Sequence, residues 1–295
     1  VDIDILTVSF PLDAETAREI QELLLASKMN EGSIYEHVVN IPVMTDPLTK
    51  GFAVLAYGGE AVVGIMSAVD VIGVHSYEWF GLVHPDFRRQ GLGEAMIGEL
   101  QRNLKVRGAE SELALNIKES EEGRSFLQQA GYVWNFSEAT LKAMGNGMND
   151  NREVVVVPLT IEREELTKLL MNAFGDTEDE VHTLLDFNSI NPARQVYIAK
   201  RQGEIVGTVT AVESGKKLWV TALATDPAYQ GQGIATALLA FVQAEGERRA
   251  SESVMLEVEI DNDKALSVYE KAGFKPILQV DYYVKSVSLE KNKNQ

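Results

Sequence analysis

The chain has 295 residues, of which 45% are hydrophobic, with a formal net charge of −17 and no cysteine. That length and apolar content suffice for two domains of ordinary size, while the lack of cysteine excludes disulfides, thiolate zinc sites and a cysteine nucleophile. The acidic balance argues against non-specific binding to nucleic acid and favours cationic partners such as amines.

Residues 4–9 read as a first strand, and Pro11 and Asp13 introduce an amphipathic helix running to about residue 29, with Ile20, Leu23, Leu24 and Leu25 on or near its buried face. A second, shorter helical stretch covers 34–39. From Gly51 the pattern turns to β, with strands at 52–57, 61–71 and 76–83 and a Gly58-Gly59 hairpin turn. A loop, Arg88-Arg89-Gln90-Gly91-Leu92-Gly93, then feeds a helix over 92–106. A strand at 112–117, a short helix at 123–130 ending on Gly131, and a strand at 132–141 follow. Residues 145–151 are polar and turn-rich, which makes them the expected linker between domains at 1–144 and 152–290.

The same order then repeats: strand 154–159, helices 162–173 and 178–185, strands 195–200, 204–212 and 217–225, and a second loop, Gln230-Gly231-Gln232-Gly233-Ile234-Ala235. A helix over 234–248, a strand at 254–260, a helix at 263–272 and a strand at 274–284 close the copy. Gln230 follows Arg88 by 142 residues, and Gly273 follows Gly131 by the same 142, so a whole domain is duplicated.

In the second loop, Gly231 and Gly233 allow backbone close to a bulky anion, and the helix opening at Ile234 presents free N–H groups at the positive end of its dipole. A plain strand-to-helix connection carries the same local signal. Both loops, however, fit Arg or Gln, two residues, Gly, one residue, then Gly or Ala. This pattern resembles the coenzyme A loop of the GCN5-related N-acetyltransferase superfamily, with Gln230, Gly233 and Ala235 in one copy and Arg88, Gly91 and Gly93 in the other. The resemblance covers nearly the whole chain, twice.

It implies an α/β fold of two tandem domains, each a central mixed, mostly antiparallel sheet flanked by helices, and acetyl-CoA as co-substrate. The resemblance further implies that the pantetheine arm runs along the fourth strand, at Leu223, Ala224 and Thr225. The pyrophosphate would then sit on the amides of Gly231, Gln232, Gly233, Ile234 and Ala235. Leu82, Val83, Arg88, Arg89, Gln90, Gly91, Leu92 and Gly93 are the corresponding positions of the first copy.

Direct attack of an amine on a thioester needs a neutral nucleophile, a donor for the carbonyl oxygen and a proton for the leaving thiolate. Glu257, in Leu256-Glu257-Val258, and Tyr269, twelve residues on, look like the pair of ribosomal-protein N-terminal acetyltransferases. That resemblance makes Glu257 the base, directly or through water, and Tyr269 the acid. The pattern also allows Tyr269 as a core aromatic beside Ala265, Leu266 and Ala272, and Glu257 with Glu259 as a solvated strand face. Asn262 fits a helix N-cap as well as a pantetheine contact.

Matching Leu113-Ala114-Leu115 to Leu256-Glu257-Val258 gives the first copy Ala114 for Glu257 and Leu127 for Tyr269. The C-terminal domain is therefore expected to catalyse. The N-terminal domain reads as a degenerate copy that keeps the anchor and can still bind CoA, with Glu78 as the one alternative base on its fourth strand.

The expected function is acetyl-CoA-dependent N-acetyl transfer to a primary amine, on a small molecule or a peptide. A non-catalytic acyl-CoA sensor or partner-binding protein and a mycothiol-synthase-like enzyme are the alternatives. His37, His75, His84 and His182 lack metal-ligand spacing, so no metal is expected. No apolar run reaches the roughly 20 residues that span a bilayer, and no signal peptide is evident, so a cytoplasmic protein without membrane attachment is expected. The acceptor amine and the oligomeric state have no signature in the sequence.

Overall fold

The structure, a computed structural model, describes residues 2–31, 35, 38–71, 73–143 and 153–285. His37, the linker at 145–151 and most of the helix expected at 34–39 lie outside the described residues. The chain forms two compact units, Val1–Ser137 with Val280–Gln295, and Glu138–Gln279.

The first repeat contributes β1 (Ile3–Ser9), α1 (Ala14–Glu31), α2 (Ile41–Thr45), β2 (Lys50–Gly58), β3 (Ala61–Asp70), β4 (Ser76–Val83), α3 (Leu92–Val106), β5 (Ser111–Ile117), α4 (Glu121–Gln129) and β6 (Tyr132–Ala143). The second contributes β7 (Val155–Pro158), α5 (Arg163–Phe174), α6 (Glu178–Ile190), β8 (Arg194–Arg201), β9 (Glu204–Ser214), β10 (Lys217–Thr225), α7 (Ile234–Arg248), β11 (Ser253–Glu259), α8 (Asp263–Lys271) and β12 (Phe274–Lys285). Helix α2 is an addition to the sequence reading. Asn40 caps it by accepting the Val43 amide at 3.3 Å, and Pro42 occupies its first turn, where no N–H is needed.

In each unit the first four strands are antiparallel neighbours and the fourth runs parallel to the fifth. The strand on the far side of the fifth comes from the other repeat. In the first unit β5 pairs with the distal half of β12, from Val280↔Ile117 to Tyr283↔Ala114. In the second, β11 pairs with the distal half of β6, from Met255↔Lys142 to Glu259↔Glu138. The mixed, mostly antiparallel sheet flanked by helices is thus present in both units, each completed by a strand half that begins in the other.

Strand alternation decides which helix each side chain meets. On β8, Tyr197 and Ala199 join Val209, Ala211, Leu218, Val220 and Leu256 in the core under α7. Val196 and Ile198 point the other way, to Leu166, Leu169 and Leu170 of α5 and Val181 and Leu185 of α6. Helix α7 lies so close to β9 that a Cβ on Gly207 would fall 2.9 Å from the Ala224 carbonyl oxygen and 2.8 Å from Ile234 Cγ2. Gly207→Ala is expected to cost about 1–3 kcal/mol, seen as a lower urea midpoint at unchanged slope. Gly64→Ala should cost less, because its nearest neighbour is the flexible Met96 thioether at 2.8 Å.

Candidate active site

The parallel fourth and fifth strands part company halfway in both units. β10 pairs with β11 only from Lys217↔Ser253 to Val220↔Leu256, leaving the edge of β10 from Thr221 to Thr225 without a β11 partner. The divergence coincides with a bulge against β9 between Thr221 and Ala224, where Ala222 adopts φ +47°. Such a bulge bends its strand and locally strengthens its twist. β4 separates from β5 after Trp79↔Ala114, but its register with β3 is unbroken from Asp70↔Tyr77 to Gly64↔Val83.

Each loop beyond the split is a short 3-10 turn followed by an abrupt helix start. In the second unit Asp226 accepts the Ala228 amide at 2.8 Å, Gln232 donates to the Ala228 carbonyl at 3.3 Å, and Gly231 and Gly233 have φ of +75° and +79°. Gln230 leads into them in extended conformation. Gly233 is the N-cap of α7 and supplies no side-chain acceptor, so the amides opening the helix at Ile234 and Ala235 have no side-chain cap. A Cβ at Gly231 would meet nothing within 4 Å, so the space over this turn is open and glycine is set by its φ.

The first unit repeats the arrangement, with Gly91 (φ +80°) as the uncapped N-cap of α3 and Gln90 donating to the Asp86 carbonyl at 2.9 Å. Arg89 replaces the first glycine and takes φ +59° all the same. Arg88 is committed to the protein: its Nε donates to the Val83 carbonyl at 2.9 Å, and Nη1 pairs with Glu122 at 3.2 Å.

Glu257 and Tyr269 flank the second unit's split from opposite faces. Val254, Leu256 and Val258 belong to the α7 core, so the exposed Glu257 projects to the face that carries α5 and α6. Tyr269, half-buried on α8, packs against the α7 core with its ring edge-on to Phe274, centroids 6.3 Å apart. Burial raises its pKa, and its hydroxyl makes no hydrogen bond with any described residue. Asn262 caps α8, accepting the Ala265 amide at 3.1 Å. Leu223 packs on the α7 core, and Ala224 lies in the cluster under α5 and α6.

One correspondence between the copies needs correction. Glu257 pairs with Thr140, and the equivalent residue of the first unit is Leu115, paired with Tyr282; Ala114 pairs with Tyr283 and matches the buried Leu256, paired with Leu141. The apolar match of Leu113-Ala114-Leu115 to Leu256-Glu257-Val258 is one residue off the register of the sheet, and one step reverses faces in a strand. Leu127 does occupy the place of Tyr269.

The model of the acetyltransferase (GNAT) family matches residues 18–132 and again 163–274, more than half of the chain. The chain belongs to the GNAT acetyltransferase family. Among solved structures it is similar to a GCN5-related N-acetyltransferase from Sphaerobacter thermophilus, at TM-score 0.73 and 19% identity over 94% of both chains. A tandem GNAT protein from the clavulanic acid biosynthesis pathway matches at TM-score 0.72 and 14% identity, covering 96% of this chain and 98% of that one. A GNAT-family acetyltransferase from Colwellia psychrerythraea matches at TM-score 0.61 and 12% identity over 96% and 100%. At these identities the likeness is one of fold, tandem in the second case.

The first GNAT unit holds a cavity of about 220 Å³ at its own split. Leu82, Val83, Arg88, Arg89, Gly91, Leu92 and Gly93 line it, and so do Leu115 and Leu127, where the second unit has its carboxylate and phenol. Glu78 is not among the lining residues; it pairs beside Leu113, where β4 and β5 are still joined. Nearby, Glu112 accepts hydrogen bonds from the Trp79 indole at 3.1 Å, the Gln101 amide at 2.8 Å and the Tyr132 hydroxyl at 3.1 Å, a network that ties α3 and β6 to the sheet. Burial and the neighbouring Glu112 carboxylate push the Tyr132 pKa up, so it stays a neutral donor.

The bulge in β10 and the residues around it carry no advance sign in the sequence. Thr221 and, across the sheet, Arg194 stand beside the second split only because of strand register. Among the described residues no helix is long and apolar enough to cross a membrane, and no group of three or more His, Asp or Glu side chains could hold a metal ion.

Proposed function

We propose that this GNAT protein transfers an acetyl group from acetyl-CoA to a primary amine, with catalysis in the β10–β11 split of the second unit. The observation that carries this reading is the placement of Glu257 and Tyr269 on opposite faces of the split, against Leu115 and Leu127 in the first unit. A thioester lying in the split would meet the amine from the α5–α6 face, and its sulfur would lie toward α8.

Glu257 takes a proton from the ammonium, directly or through water, and the nitrogen lone pair adds to the carbonyl carbon. The unpaired edge of β10 supplies amide donors for the oxygen as it gains charge. As the C–S bond breaks, Tyr269 donates its proton to the thiolate and is reprotonated from water, while the adduct nitrogen gives up its second proton through Glu257 to water, leaving one N–H in the amide. The Tyr269 phenol suits this role because burial keeps it protonated. The uncapped start of α7, with open space over Gly231, fits a pyrophosphate. In this reading Leu223, Ala224 and Thr225 run beside the pantetheine, with Gln230 and Gln232 around the phosphates.

The first unit is proposed as a non-catalytic copy. Its cavity keeps the loop and the split, so binding of CoA there without turnover is a consistent second property. Thiol release under saturating acetyl-CoA tests the assignment across a panel of amines. Glu257→Gln is expected to lower kcat by roughly 100-fold or more, with acetyl-CoA affinity unchanged, and Glu78→Gln should leave turnover near wild type. Loss of turnover confined to Glu78→Gln would move the chemistry to the first unit.

A further inference from the structure

Arg194 opens β8 with its guanidinium half-buried and held from two sides. Nε donates to Asn188 Oδ1 at 2.5 Å, and the ring of Phe187 lies 5.0 Å from the guanidinium carbon. Nη2 reaches Thr221 Oγ1 at 3.5 Å, while Nη1 makes no hydrogen bond with any described residue. Nor does Arg194 form an ion pair among the described residues, and burial alone, unopposed by a carboxylate, depresses its pKa. A half-buried guanidinium without an anion is an expensive arrangement to keep for structure alone.

Its place in the sheet gives it a use. Val196 and Ile198 face α5 and α6, and alternation along β8 puts Arg194 on that face too. Thr221 is the first residue of β10 beyond the last pair, Val220↔Leu256, and so stands level with Glu257 on β11. The guanidinium therefore stands beside the mouth of the split, on the face that carries Glu257.

The first unit has no equivalent. Arg194 pairs with Val212 and precedes the bulge at Ala199, just as Gly51 pairs with Val69 and precedes the bulge at Ala56. A Cβ on Gly51 would lie 2.3 Å from the Ala68 carbonyl oxygen and 2.7 Å from the Phe10 ring, so that unit has no room for a side chain there. The shared fold does not require the arginine. It occurs in the unit that also has the carboxylate and the phenol.

We propose that Arg194 binds a carboxylate of the acceptor, so that the acceptor is a small amine carrying a carboxylate close to its amino group, such as an amino acid or a short peptide. This rests on the acetyl-transfer reading of the second split. The planar fork of Nη1 and Nη2 matches a carboxylate, and a single guanidinium in a chain of net charge −17 suits a monoanion better than a phosphate dianion.

The test uses the full chain with acetyl-CoA and follows thiol release with the twenty amino acids and with their carboxamides. Wild type, Arg194→Lys and Arg194→Met are compared, with acetyl-CoA affinity measured by calorimetry on each. Wild type is expected to favour at least one amino acid over its amide by roughly 10- to 100-fold in kcat/KM, mainly through KM. Arg194→Met should bring that ratio close to one and Arg194→Lys should fall between, with acetyl-CoA affinity unchanged. If Arg194→Met does not fold, as judged by its melting curve, the lysine variant carries the comparison.

The proposal is overturned if wild type does not discriminate, or if the ratio survives substitution. It is equally overturned if no amino acid is acetylated and none binds wild type more tightly than the variant in the presence of CoA. Turnover of amides with no dependence on Arg194 would leave the acetyl-transfer reading standing. Failure of wild type to bind acetyl-CoA would instead be the failure of that reading.

Discussion

Tyr269→Phe is expected to lower kcat by roughly 100- to 10,000-fold, the usual span for removing a general acid, while leaving the KM for acetyl-CoA close to wild type. The substitution deletes one oxygen that has no hydrogen-bond partner among the described residues, so little packing is lost and the contact with Phe274 is retained. A loss of kcat without loss of stability would therefore report chemistry. The pH profile gives a second readout. Burial raises the Tyr269 pKa, so the acid form persists through neutral pH and the alkaline fall in kcat should lie above the value of about 10 for a free tyrosine. That limb should disappear in Tyr269→Phe. An unchanged kcat with the limb intact would show that another group protonates the thiolate, and Tyr269 would then be only a core aromatic.

Gly233→Glu is expected to weaken acetyl-CoA binding in the second unit by at least about 100-fold, the scale of losing two charge-assisted hydrogen bonds at a phosphate. Gly233 caps α7 at φ +79°, so a side chain there is strained by about 1–2 kcal/mol. A carboxylate at a helix N-terminus recovers about 0.3–1 kcal/mol of that, and the fold should survive with a modestly lower melting temperature. The same carboxylate would accept from the opening amides and repel the pyrophosphate. Calorimetric titration of acetyl-CoA into this variant and into Gly91→Glu separates the two units. Loss of all binding in Gly233→Glu alone would mean that the second unit is the sole acetyl-CoA site. One site lost in each variant would mean that the first unit holds the cofactor as well. Full binding in Gly233→Glu would remove the loop from the site altogether.

The loops are the most legible part of the candidate site because their signal is local. A glycine at φ +75° or +79° is recognisable from residue type, and the helix that follows shows its apolar period in sequence. Asn262 illustrates the same economy: it caps its helix by accepting an amide three residues on, as an Asn ahead of a helical pattern implies. Arg89 shows the limit. It adopts φ +59° in the place of Gly231, and nothing about an arginine announces a left-handed backbone.

The sequence by itself determined the duplication, the order of elements in each copy apart from α2, the two loops, and the presence of Glu257 and Tyr269 in one copy alone. These follow from residue type and short-range periodicity, which act within a few turns of chain. Tertiary structure alone decided three matters. The distal halves of β6 and β12 pair in the unit opposite to the one in which each strand begins, and two copies with the same element order offer either pairing equally well on local grounds. The residue facing as Glu257 does is Leu115 rather than Ala114, because register is fixed by the neighbouring strand and one step turns a side chain to the other face. Arg194 reaches Thr221 across β9, a meeting of residues 27 apart in sequence that only the packed sheet brings about.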